Sequence, residues 1–215
     1  MPGTPYMLIP LNLSAYLPGA IVGDSDPELP DEFAIIAYPS QEVWNHDIHE
    51  TLRGRVYNQM HGGVYDLKRS GASFPTNWSN VPEDGLIPYY LFETLTDWQS
   101  GATRVVVGAR TDTATRADAM RRHVRRNAGS TIERLAVQGF DQAIVMPGAG
   151  YCVIWMHSIS PSSEELDPDI FGPASRTILN MDATRVQCGE EPLALTISQT
   201  TALNFIFERN QIGLH

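Results

Sequence analysis

The segment from Arg104 to His157 constrains the fold of this chain most strongly, because it holds a strand, a helix and a hairpin in succession. Arg104–Ala109 is rich in β-branched residues and predicts a strand. Gly148-Ala149-Gly150 separates two apolar runs and predicts a β-hairpin of Ala143–Met146 with Tyr151–His157. Between them, residues at helical spacing predict one apolar helix face, made of Ala117, Met120, Val124 and Ala128.

Glycines mark where this helical region is expected to change. Gly129 is predicted to break or kink the helix, and Ser130 to start a continuation through Leu135. Gly139 is expected to end the continuation.

An earlier part of the chain has a similar layout. Phe33–Tyr38 predicts a short strand, and Ser40 is a good N-cap for a helix over Gln41–Met60. Tyr89–Leu95 and Leu193–Ile197 are further predicted strands. Apolar residues recur every four positions in the early helix and predict a buried stripe of Trp44, Ile48, Leu52, Val56 and Met60.

This order of elements predicts an α+β fold, with helices on one face of a mostly antiparallel sheet. A ferredoxin-like or dimeric α/β-barrel-like arrangement is the first choice, built from two βαβ units in one compact domain. The domain is expected to span residues 1–215, with a pseudo-repeat of 30–69 and 100–158.

The stretch FAIIAYPSQEVWNHDIHETLRG (33–54) resembles the first strand and helix of small dimeric α/β-barrel proteins, including the antibiotic-biosynthesis monooxygenase-like group. It covers about a tenth of the chain. The resemblance implies a cleft between helices and sheet that binds small aromatic molecules. It matches no catalytic motif of that group, so it assigns no functional residue.

Composition narrows the classes of partner. The chain has 215 residues and a net charge of −10, which disfavours nucleic acid and anionic membranes as partners. No basic signal-peptide region precedes the proline-interrupted N-terminal apolar residues, so a cytoplasmic protein is expected, with export without a cleaved signal left open. Cys152 and Cys188 are expected to be reduced, inert thiols.

Histidines and aromatic residues supply the candidate small-molecule site. Alternation along the Tyr151–His157 strand places Tyr151, Trp155 and His157 on one face. The predicted pocket lies between this face and the early helix, with a histidine as general base. The candidate catalytic residues are His49, His61 and His157, and the candidate ligand-binding residues are Trp44, Tyr151 and Trp155.

His46, His49 and Glu50 share one side of the predicted early helix, the spacing that a divalent metal could use. Their order matches neither recognised helical zinc motif, so a solvated polar face is the preferred interpretation. No metal and no cofactor are predicted.

Arginine is concentrated in one region. The chain has 14 arginines and one lysine, and eight arginines lie between Arg104 and Arg134. Three acidic residues oppose them, so this region carries +5 and the remainder −15. The densest set lies opposite the apolar helix face and could bind an anion or an acidic protein surface: Arg121, Arg122, Arg125 and Arg126.

Three functions remain open. The first is a small-molecule-binding protein or enzyme with an aromatic and histidine-lined cleft. The second is an interaction module whose arginine helix docks on an acidic protein or on another copy of the chain. The third is an effector or toxin delivered into a eukaryotic cell, where few lysines mean few ubiquitination sites; codon bias explains the same composition.

Overall fold

A computed structural model describes residues 7–12, 32–37, 46, 50–52, 54–56, 59, 88–94, 96–98, 100–111, 114, 116, 118–160, 168–183 and 186–187. These residues include two antiparallel sheets and two short helices that follow β4. The smaller sheet has the order β2-β1-β8, made of β1 (Met7–Asn12), β2 (Glu32–Ala37) and β8 (Val186–Gln187).

The larger sheet has five strands in the order β3-β5-β6-β4-β7, and every pairing in it is antiparallel. Its strands are β3 (Tyr89–Tyr90), β4 (Ala102–Arg110), β5 (Phe140–Pro147), β6 (Tyr151–Ser158) and β7 (Ser175–Asp182). Strands β4 and β5 run in the same direction with β6 between them, and the chain passes from β4 to β5 through the two helices.

The helices are α1 (Ala119–Arg126) and α2 (Ala128–Val137). Met120 and Val124 of α1 and Leu135 of α2 are buried in a cluster with the side chains of one face of the larger sheet. A 3-10 turn, Pro168–Phe171, joins the same layer through Ile170 and Phe171. The helices therefore cover one face of the larger sheet.

The smaller sheet covers the opposite face. Leu11 and Phe33 are paired across β1 and β2, and both are buried. They belong to a second apolar cluster with Val105, Val153 and Trp155 of the larger sheet. The described residues thus form three layers, with the five-stranded sheet in the middle and an apolar core on each side of it.

The predicted α+β class, the antiparallel sheet and the helices on one face are confirmed. The ferredoxin-like or dimeric α/β-barrel-like version and the single domain stay predictions. So does the pseudo-repeat, whose first strands, Glu32–Ala37 and Ala102–Arg110, lie in different sheets. The predicted strand at Leu193–Ile197 lies outside the described residues.

The helix break is two residues earlier than predicted. The chain leaves helical geometry at Asn127, and Gly129 lies inside α2. The Asn127 side-chain amide donates to the carbonyl of His123 at 2.9 Å, and the same carbonyl accepts from Asn127 N at 3.1 Å. Ser130 Oγ then donates to the Asn127 carbonyl at 3.0 Å. An asparagine cap, and not the glycine, separates the two helices.

The predicted buried stripe of the early helix is wrong at Leu52 and Val56, which are 72% and 46% exposed. The helix has a π-type turn just before them, in which Thr51 N donates to the His46 carbonyl at 3.2 Å. Such a turn inserts one residue into the α-helical pattern and rotates the following residues by about 100°. The four-residue spacing therefore no longer indicates one common face.

Candidate functional site

A row of buried polar side chains crosses one end of the five-stranded sheet. Thr103 of β4, His157 of β6 and Gln142 of β5 are direct cross-strand partners. Directly opposed residues share a sheet face, and these three continue the face that carries Val105, Trp155 and Ile144. Their exposed fractions are only 1–3%. Buried polar groups need partners, so this row, here called the polar row, is the most informative cluster among the described side chains.

A β-bulge brings a carboxylate to the polar row. Phe140 pairs with Ser158 and Gln142 pairs with His157, so Asp141 is an extra residue in β5. A bulge of this kind re-aims a side chain, and Asp141 Oδ1 lies 2.5 Å from His157 Nδ1. The His157 side chain is 3% exposed and that of Asp141 is 40% exposed. The His157 side chain is thus buried, while the carboxylate of Asp141 is partly exposed to solvent.

The other ring nitrogen of His157 is also occupied. Nε2 lies 2.9 Å from the carbonyl oxygen of Ser100, and the Trp98 ring meets the imidazole edge-on at 5.5 Å. Gly101 makes this approach possible, since its φ is +65° and a Cβ there would lie 2.2 Å from the Ser158 carbonyl. A general base needs a free nitrogen facing its substrate. The catalytic role of His157 stays a prediction, and in this geometry neither nitrogen is free.

Gln142 fixes the neighbouring irregular segment. Its Nε2 donates to the carbonyls of Phe92 at 3.2 Å and Thr94 at 2.5 Å. Its Oε1 accepts from Phe92 N at 3.2 Å and from Ala143 N at 2.9 Å. The predicted strand Tyr89–Leu95 is a strand only at Tyr89–Tyr90, and beyond Leu91 these side-chain bonds take the place of backbone pairing with β5. The described residues 91–94, 96–98 and 100–101, here called the anchored segment, are therefore tied to the sheet by Gln142 and His157.

The predicted ligand-binding residues on β6 have different surroundings. Trp155 is fully buried, and its indole N–H donates to Met146 Sδ at 3.0 Å. Tyr151 is half-buried and meets Phe33 edge-on, with ring centroids 5.6 Å apart. Both belong to the core between the two sheets. Trp44, His49 and His61 lie outside the described residues.

The side of β6 that faces the helices carries Cys152. This thiol is fully buried, and burial raises its pKa. Burial also raises the pKa of Tyr89, the neighbouring Cys152 adds to that rise, and the charge of Arg125 opposes it. Both groups are uncharged at neutral pH, so Cys152 has the character of a core residue and not of a nucleophile. Cys188 lies outside the described residues.

The arginines of α1 form the arginine face, defined as Arg121, Arg122, Arg125 and Arg126. The first three side chains are half-buried and Arg126 is exposed. Arg122 pairs with Asp118 at 3.2 Å, and Arg121 and Arg125 also have interactions within the protein. Desolvation favours the neutral form of the Asp118 carboxyl, but hydrogen bonding to Arg116 and the charges of Arg116 and Arg122 outweigh it and lower its pKa.

The polar cluster of the early helix is partly described. His46 Nδ1 lies 2.9 Å from Glu50 Oε2, and both side chains are exposed. In the part of the chain that the structure describes, no three histidine, cysteine, aspartate or glutamate side chains are placed to hold a metal ion. No helix among the described residues is long and apolar enough to cross a membrane.

Sequence reasoning missed Asp141, Gln142 and Ser100. Asp141 precedes a strand in which alternation places polar and apolar residues on separate faces, and nothing in the sequence marks the bulge. One signal was available, since Gln142 and His157 are polar residues at positions that continue two apolar strand faces.

Comparison of the chain with protein-family models, curated proteins and solved structures finds no match.

Proposed function

We propose that this chain is a protein-interaction module that presents the arginine face of α1 to an acidic protein surface. The observation that carries the proposal is a set of four arginines on a firmly packed helix, in a protein whose net charge is −10. The His157 ring is buried and both of its nitrogens have hydrogen-bond partners, which supports this function over catalysis by histidine.

The packing of α1 supports its use as a rigid platform. Val124 is fully buried and Met120 is 3% exposed, so one side of the helix is held in the core. The His123 ring lies against Gly172, where an added Cβ would stand 2.6 Å from it. A helix held in this way loses little conformational freedom on binding. Its guanidinium groups can then form paired hydrogen bonds with carboxylates.

Charge determines the kind of partner. Asp118 precedes α1 and contacts Arg122 of the arginine face at 3.2 Å and Arg116, outside that face, at 3.1 Å. Exposed charge contacts are screened by salt. The proposal therefore requires binding that weakens as the salt concentration rises.

A charge-matched pair of variants tests the proposal. The face variant carries Gln at all four arginines of the arginine face. The control variant carries Gln at four other arginines and has the same net charge: Arg55, Arg116, Arg134 and Arg176. The probe is fluorescently labelled poly-glutamate, with binding followed by anisotropy at low and high salt.

The wild type and the control variant should bind poly-glutamate, and the face variant should bind at least about fourfold more weakly. Four contacts worth roughly 0.2–1 kcal/mol each account for that loss. Equal loss in both variants would show that only total charge matters, and absence of salt-sensitive binding by the wild type would also refute the proposal. Sedimentation velocity of the same proteins reports whether a second copy of the chain serves as the acidic partner.

A small-molecule site is the second candidate. The half-buried Tyr151 ring is the observation that favours it, since this ring lies against Phe33 at one end of the core between the sheets. The predicted site residues Trp44, His49, His61, Trp155 and His157 would complete the lining. A thermal-shift screen with small aromatic compounds tests it: Tyr151→Ala should remove any stabilisation that the wild type shows, whereas Val137→Ala on the exposed end of α2 should retain it.

A further inference from the structure

We propose that the partner of the arginine face is a second copy of this chain, which receives it on an exposed apolar and acidic surface at one end of the larger sheet. This surface, here called the acceptor end, is defined by five exposed residues: Glu93, Asp97, Glu133, Val137 and Ile159. The inference rests on the function proposed above, since it names the partner of the arginine face.

Two large apolar side chains mark the acceptor end. Val137 is 87% exposed and Ile159 is 78% exposed. Val137 is the last residue of α2 and is followed closely by Phe140, while Ile159 directly follows Ser158. Phe140 and Ser158 are cross-strand partners at the start of β5 and the end of β6. Both apolar residues therefore lie at the same end of the sheet, where a partner that covered them would remove apolar surface from water.

Acidic residues lie at the same end. Glu133 and Val137 are separated by one turn of α2, a spacing that places them on the same side of the helix. Glu93 follows Phe92, whose backbone N–H donates to Gln142 Oε1 at 3.2 Å. Because Gln142 is near the start of β5, this contact holds Glu93 close to the acceptor end.

The charge of the acceptor end is opposite to that of the arginine face. Asp97 precedes Trp98, whose ring meets the His157 ring near the end of β6. Arg134 of α2 is half-buried and has interactions within the protein. The exposed charged residues that define the acceptor end are all acidic, so it is complementary to a row of exposed guanidinium groups.

The arginine face lies toward the other end of the sheet. The His123 ring of α1 lies against Gly172, whose carbonyl accepts from Ser175 N at 3.2 Å. Ser175 pairs with Arg110 at the end of β4, whereas the acceptor end lies at the start of β4. The strand spans about 25 Å between these ends. The two surfaces therefore meet head to tail between copies, and each pair leaves one surface of each kind for a further copy.

Two variants that each lack one surface test this arrangement. The end variant is Val137→Ser with Ile159→Ser, and the face variant is the one with glutamine at all four arginines of the arginine face. Leu52→Ser with Val56→Ser is the control for the end variant, since it also removes two exposed apolar side chains. Sedimentation velocity is measured at protein concentrations up to about 0.5 mM, which detects dissociation constants in the micromolar range.

The wild type and the control should self-associate as the protein concentration rises. The end variant should self-associate at least about tenfold more weakly, the effect of losing buried apolar side chains, and the face variant at least about fourfold more weakly. An equimolar mixture of the end and face variants should form a one-to-one dimer and nothing larger. The mixture combines one intact arginine face with one intact acceptor end.

Three results would each overturn the proposal: a wild type that stays monomeric, an end variant that associates as strongly as the wild type, and a mixture that associates no more than its components. Binding of poly-glutamate separates this failure from failure of the proposed function. The end variant keeps the arginine face, so it should bind poly-glutamate as the wild type does, which also shows that it is folded. A monomeric wild type that binds poly-glutamate would refute the acceptor end alone, whereas loss of both properties would refute both proposals.

Discussion

Replacing Gln142 with methionine should destabilise the protein by about 2–4 kcal/mol. Methionine has nearly the same volume, so the change removes hydrogen bonds without opening a large cavity. It leaves four backbone groups without their partner: the N–H and carbonyl of Phe92, the Thr94 carbonyl and the Ala143 N–H. Thr94 is exposed, so water can replace its bond.

The other groups set the magnitude. Ala143 is fully buried and Phe92 is half-buried, so at least two polar groups lose a partner where water has little access. Each such group costs roughly 1–3 kcal/mol, and partial solvation of Phe92 keeps the total in the lower half of the summed range of about 2–6 kcal/mol. Thr103 and His157 of the polar row would remain, but one of the two ties on the anchored segment would be lost.

Equilibrium unfolding in urea measures the change. The expected result is a lower transition midpoint with an unchanged slope, since the surface exposed on unfolding stays the same. Gln138→Met makes the same chemical change at a half-buried position after α2 and should stay within about 0.5 kcal/mol of the wild type. A loss below about 1 kcal/mol for Gln142→Met, or an equal loss in both variants, would refute the role given to the Gln142 amide.

Three further outcomes are expected. Gly108→Ala places a Cβ 2.5 Å from the buried Phe171 ring and should lower the free energy of unfolding by about 1–3 kcal/mol. In a double-mutant cycle measured in urea, Phe171→Leu should recover part of that loss, and strict additivity of the two changes would contradict this contact. Cys152, whose pKa burial raises, should resist thiol reagents in the native protein and react in urea, as mass spectrometry of its peptide would show; equal native labelling would contradict burial. Asp118→Asn should destabilise the protein at neutral pH, because the pKa of Asp118 is lowered in the folded state. The difference in melting temperature between wild type and variant should shrink as the pH falls below about 4, and a difference that grows in acid would contradict this reasoning.

The middle of the chain was predictable because its local patterns agree with its tertiary environment. Val105–Val107 is a β-branched run on β4, an interior strand of the larger sheet, where both faces are buried. The glycine-rich turn at 148–150 joins β5 to β6 as predicted. Met120 and Val124 are buried and the arginines of α1 lie outside, as helical spacing predicted.

The polar row was not predictable, because it depends on contacts between distant residues. Asp141 reaches His157 only because β5 contains a bulge, and Gln142 is satisfied by backbone groups some 50 residues earlier in the chain. Alternation alone identified the face of His157 but not its partners. The exposed Leu52 shows the same limit, since one extra residue in a helical turn changes the face of every residue after it.

The position of β4 affects how the chain can fold. This strand lies between β6 and β7, and its partners come late in the sequence, since Thr103 pairs with His157 and Arg104 with Asp182. During synthesis, its apolar residues emerge well before either partner strand, whereas β5 and β6 can pair as soon as their hairpin is complete. Hairpin formation should therefore precede docking of β4, and the interval before docking is when an unpaired β4 is most open to aggregation or to chaperone binding.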